Sequence, residues 1–175
     1  MIRRSVLASG ALAVALTLSS TLSSCSTFTA NNDVASVGDT SLGRDDFELF
    51  VQDLLIVNAP AADRTKIAGD DARRLLSAWV GDQLIIQFLE SEGVAVTETD
   101  RTAAANALDT RLKNAGVTWA EGSRRISIEG QAARTVFQNT QQPGALGPFA
   151  QDISIEVDSR YGFWDRQSAT VVAFG

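Results

Sequence analysis

Side-chain chemistry most often rests on histidine, cysteine or paired carboxylates, and this chain is poor in the first two. Its 175 residues include no histidine and one cysteine, Cys25. Without an imidazole there is no Ser-His-Asp or Cys-His nucleophile, no His-ligated metal and no side-chain acid or base of ordinary pKa near neutrality. A single thiol forms no internal disulfide and no cysteine-rich zinc site. The carboxylates cluster as Asp45-Asp46, Asp70-Asp71 and Glu98 with Asp100. Each cluster stands where a helical pattern begins, and negative charge there meets unpaired backbone N–H groups. They are read as helix-start residues, not as metal or acid–base groups. Asp70 to Ser77 lacks the Asp-x-Asp-x-Asp-Gly order of a calcium loop, and no glycine-rich phosphate loop occurs. Arg124 and Arg125 with Arg134 make a small basic spot on a helix face. No catalytic residue, metal or cofactor is expected.

The lone cysteine has a different chemistry in view. Arg3 and Arg4 form a short positive segment, and Val6 to Leu18 (VLASGALAVALTL) follows without a charge. That run suits the apolar core of a signal peptide. It is too short for a bilayer of about 30 Å, which needs about 20 apolar residues. Leu22-Ser23-Ser24-Cys25 comes next and resembles the bacterial lipobox. The resemblance implies a diacylglycerol anchor carrying palmitate-type chains on the Cys25 thiol, and cleavage before Cys25. Arg3-Arg4-Ser5-Val6-Leu7 also partly matches a twin-arginine signal, with Ile2 where a polar residue usually precedes the pair, so general secretion is the favoured route. The expected division is a signal peptide over 1–24, a lipidated tether over 25–33 and a folded domain over 34–175. The tether spans at most about 25 Å when fully extended. The domain would then sit outside the cell, close to the outer face of the membrane.

Composition supports one globular domain: 45% of residues are hydrophobic and 21% charged. Fifteen basic and 21 acidic residues give a net charge of −6, and no stretch supplies the basic footprint of a nucleic-acid binder. Loss of 1–24 would remove two arginines and no acid. An acidic domain is repelled by anionic headgroups, so acyl chains and not a basic patch would hold it at the membrane.

The elements that position these residues follow from periodicity. Val34 to Asp39 alternates weakly into a Gly-Asp turn and reads as a short strand. From Ser41 the period becomes helical, with Phe47, Phe50, Val51, Leu54 and Leu55 on one face, and Asn58-Ala59-Pro60 stops it. Residues 61–68 read as a short helix or a loop. Asp70 to Glu92 carries a wide apolar stripe suited to a central helix, capped by Gly69-Asp70 and closed at Gly93. Gly81 inside it marks a close helix approach. Val94 to Thr97 is an extended link, and Thr97 or Thr99 caps a helix that ends at Gly116. Thr118 and Glu121 have capping-box spacing. Arg124 to Asn139 favours a helix, although Ile126-Ser127-Ile128 alone would suit a strand. Residues 138–151, with Pro143-Gly144 and Gly147-Pro148, read as a loop. Ile153 to Val157 and Thr170 to Phe174 are strands joined by a long hairpin connection over 159–165. The fold class is α+β, mainly α: a helical body of four to five helices, with the strand near Val34–Gly38 joining both C-terminal strands in one small sheet.

Four aromatics are candidate binding or locking residues. Trp119 sits just inside a helix start, as an anchor or as a staple. Tyr161, Phe163 and Trp164 crowd one turn region. They either pack on the helices and lock the hairpin, the favoured reading, or form a partner-binding patch. Trp79, on the apolar stripe, is read as core.

These segments bear a family likeness. Val37-Gly38-Asp39-Thr40-Ser41 leading into Asp45-Asp46-Phe47 resembles the opening of the N-terminal domain of SurA-like periplasmic chaperones. The helix at 70–92 followed by Gly93-Val94-Ala95-Val96-Thr97-Glu98-Thr99-Asp100 is similar to that family's helix–link–helix. Val157-Asp158-Ser159-Arg160-Tyr161-Gly162-Phe163-Trp164 is similar to the ending of actinobacterial lipoproteins of this type, with Ser159 where proline is usual. The resemblance implies an exported helical domain that holds unfolded or partly folded polypeptide without covalent chemistry. Related SurA and trigger-factor proteins often add a parvulin prolyl-isomerase domain, for which this chain has neither the length nor the histidines. A reduced prolyl isomerase and a structural lipoprotein with one dedicated envelope partner are the competing readings.

Overall fold

The computed structural model describes residues 32–58, 68–140 and 144–175. The signal-like run, Cys25, nearly all of the tether and segment 61–67 lie outside the described residues. The described elements run β1 (Asp33–Val37), β2 (Thr40–Gly43), α1 (Arg44–Asn58), α2 (Gly69–Ser91), α3 (Glu98–Ala115), α4 (Glu121–Asn139), α5 (Leu146–Asp152), β3 (Ile155–Val157), β4 (Phe163–Asp165) and β5 (Thr170–Val172). The protein is α+β and mainly α, with small antiparallel sheets.

The two ends of the described chain meet as expected. β1 pairs antiparallel with β3, setting Ala35 opposite Val157 and Val37 opposite Ile155. The rest of the single-sheet expectation is corrected. The third strand of this sheet is β2, and β5 pairs instead with β4 in a separate two-stranded sheet. β2 wins its place because Gly38-Asp39 is a two-residue connection with Gly38 at φ +54°, so the partner nearest in sequence closes onto β1 at little entropic cost. Gln87 Nε2 donates to Val37 O at 2.7 Å, and Gly38 N donates to Ser154 O at 2.8 Å, which fixes the turn. The helix read from Ser41 therefore begins only at Arg44.

The helices follow their periodic stripes. α2 buries Ala72, Leu76, Trp79, Val80, Leu84, Phe88 and Leu89, and is packed on by β1, β5, α1, α4 and α5. Its start differs from the expected cap: Ala68 is the N-cap without a side-chain bond, and Asp70 and Asp71 instead pair with Arg73 and Arg74 one turn on. Thr97 and Asp100 form a complete capping box on α3, and Gly116 at φ +67° closes that helix. Thr118 caps nothing. α4 begins at Glu121, and the carboxylate of Asp53 on α1 accepts the Ala120 N–H at 2.8 Å. Ile126 to Ile128 is helical.

Part of the 138–151 loop reading is also corrected. α5 forms over Leu146–Asp152, with Pro148 in its first turn, where a missing N–H has no helical partner to lose. Leu146, Phe149 and Ala150 recur at helical spacing, and Phe149 packs edge-on against Phe88 of α2.

Two cores result. The larger gathers β1, Leu42 of β2, Phe47 and Val51 of α1, the α2 stripe from Ala72 to Leu84, and Val171. The smaller holds Phe50, Leu108, Leu112 and Trp119. α4 touches α1, α2 and α3, which its small buried residues Ser123, Gly130, Ala132 and Ala133 allow. The close helix approach lies at Gly130, where a Cβ would overlap the Asp82 carboxylate, and not at Gly81, where nothing stands within 4 Å. Burial raises the Asp82 carboxyl pKa, and the bond from Arg134 offsets this only in part.

Candidate functional site

The space beside Gly81 is a cleft of about 270 Å³. Three elements enclose it. α2 supplies Gly81 and Leu84, α5 supplies Leu146, Gly147, Ala150 and Gln151, and the β4–β5 hairpin supplies Trp164, Arg166 and Ala169. Gly81 leaves the floor open because it projects no side chain where its neighbours on the stripe project large ones. Trp164 stands opposite Val171 in the hairpin register, half-buried against the larger core.

The hairpin is held in place from both sides. Val171 N donates to the Ser77 hydroxyl of α2 at 2.7 Å. Arg166 donates through Nη1 to the carbonyls of Ala150 and Gln151, and through Nη2 to Ile153 O at 2.7 Å, so it caps the C-terminal carbonyls of α5. Asp165 is turned into its own hairpin: it accepts from the amides of Gln167 and Ser168 and from the Ser168 hydroxyl. The Ser168 bond leads in lowering the Asp165 pKa below its ordinary value. Ala169 completes the connection at φ +52°, a left-handed conformation uncommon outside glycine.

Among the described residues, the cleft lining carries no carboxylate, thiol or hydroxyl, and Arg166 is its only charged side chain. Chemically it can take an apolar group and pair it with an anion at the rim. No three carboxylate or thiol groups among the described residues converge as a metal set.

The sequence-derived candidates fall in different places. Trp164 lines the cleft. Phe163, its neighbour, is 44% exposed and stacks on Phe174 at 5.3 Å between ring centroids. Tyr161 packs edge-on to Phe47 at 5.4 Å, and burial, with the Glu48 carboxylate next, raises its hydroxyl pKa. Trp119 is 4% exposed and stands edge-on to Phe50 in the smaller core, away from the cleft. Cys25 lies outside the described residues. Sequence reasoning missed Arg166 entirely, and took Gly81 as a packing contact when it is an opening.

No protein-family model, curated protein or solved structure matches this chain. Among the described residues, no helix is long and apolar enough to cross a membrane.

Proposed function

We infer that the protein is a lipid-anchored extracytoplasmic lipoprotein, held at the outer face of the membrane through Cys25, whose domain binds unfolded or partly folded polypeptide without catalysis. The observation that carries the binding half is the cleft floored by Gly81 and walled by Trp164. Its volume of about 270 Å³ lies just below the ~300 Å³ at which pockets for whole small molecules usually begin. A single apolar side chain of a longer chain fits that size better than a complete ligand does. The resemblance to SurA-like chaperones supports the same reading from the residue order around 37–47, 93–100 and 157–164. The lone cysteine after Leu22-Ser23-Ser24 supports the anchor.

Two measurements test this. Cys25→Ser should release the protein from membranes washed in high salt, and continued sedimentation would refute the anchor. The purified protein should suppress light scattering by an aggregating unfolded client at near-stoichiometric ratios, and unchanged scattering would refute polypeptide binding.

A further inference from the structure

The guanidinium at the rim of the cleft has an unusual set of partners. Among the described residues, the guanidinium of Arg166 bonds to backbone carbonyls alone: those of Ala150, Gln151 and Ile153. Its neighbour Asp165 faces the other way, into the amides of Gln167 and Ser168. Among the described residues, the positive charge is therefore met by dipoles and not by a carboxylate, and its Nε–H donates to none of them. An arginine edge of this kind recognises a carboxylate with charge-assisted, directional bonds.

The apolar space and the charge lie within one small cleft. In an extended segment an adjacent Asp or Glu sends its carboxylate to the opposite side of the backbone, and one two positions away shares the face only at about 7 Å along the chain. A chain terminus carries both groups on one Cα. We propose that the cleft recognises the free C-terminus of a polypeptide that ends in an apolar residue, the side chain entering over Gly81 against Trp164 and the terminal carboxylate pairing with Arg166. This rests on the polypeptide-binding reading and names which part of the client is held.

The test is a calorimetric titration of the purified full chain with a short peptide ending in leucine, as the free acid and as the C-terminal amide. The free acid should bind about fivefold more tightly, the scale of an exposed ion pair. Arg166→Gln should erase that preference and Arg166→Lys should retain part of it. Gly81→Leu places a side chain where nothing stands within 4 Å of the Cβ position, and should abolish binding while circular dichroism stays native and the melting temperature does not fall. Equal binding of acid and amide overturns the carboxylate inference and leaves polypeptide binding standing. Failure of both peptides to bind overturns the inference and, with unchanged client scattering, the binding reading as well. Decanoate binding as tightly as the free-acid peptide would make the occupant an acyl chain and also overturn it.

Discussion

Val171 and Ser77 stand 94 positions apart, yet the Val171 amide donates to the Ser77 hydroxyl at 2.7 Å while that hydroxyl donates to Arg73 O at 2.8 Å. One side chain of α2 thus satisfies the N–H of a strand that has no third strand beside it. The same contact fixes the hairpin over α2, and these two elements both line the cleft.

Ser77→Ala should cost about 1–2 kcal/mol, because it leaves the part-buried Val171 N–H without a partner. Urea unfolding reads the stability. Hydrogen exchange at Val171 should accelerate more than exchange in α3, which shares no bond with this contact.

Two glycines should respond to alanine with opposite signs. Gly162 adopts φ +129°, and a Cβ there would overlap Val172 O, so Gly162→Ala should cost about 3 kcal/mol or more. Gly81 is helical with nothing within 4 Å of its Cβ position, so Gly81→Ala should stabilise by about 0.5–1 kcal/mol. Melting temperatures of the two variants decide both.

Much of this architecture was legible, and the failures have physical causes. Helices α1 to α4 were readable because a stripe such as Leu76, Trp79, Val80 and Leu84 repeats at the period the backbone imposes. β2 was hidden because it has four residues and only Leu42 is buried, so no alternation could emerge. α5 was hidden by Pro148, which reads as a breaker unless its first-turn position is known. β5 has β4 as its neighbour because Phe163–Asp165, which reads as part of a connection, is itself a strand of only three residues, and Ser77 of α2 meets the Val171 amide. For the cleft, Trp164 stood out as an aromatic and Gly81 as an anomaly inside a helix. Arg166 gave no signal, since its partners are backbone carbonyls that any sequence supplies.

The Thr97–Asp100 cap carries a pH dependence of defined sign. The Thr97 side chain and then its amide hold the Asp100 pKa below its ordinary value. A carboxyl with a depressed folded pKa contributes stability that is full above the unfolded value, about 4, and is lost as pH falls through the folded value. Asp100→Asn should therefore lower the denaturation midpoint at pH 7, and the gap to wild type should close on acidification below about pH 4. A gap that stays constant from pH 7 to pH 2 would contradict the ionised cap.

The central claim is that polypeptide enters the cleft between α2, α5 and the β4–β5 hairpin. Backbone-amide NMR of the protein, titrated with a leucine-terminated peptide, tests it most directly. The account predicts shifts concentrated at Gly81, Leu84, Ala150, Trp164 and Ala169, and absent around Trp119 and Leu112. Shifts centred on the Trp119 core, or spread evenly over the surface, would contradict it.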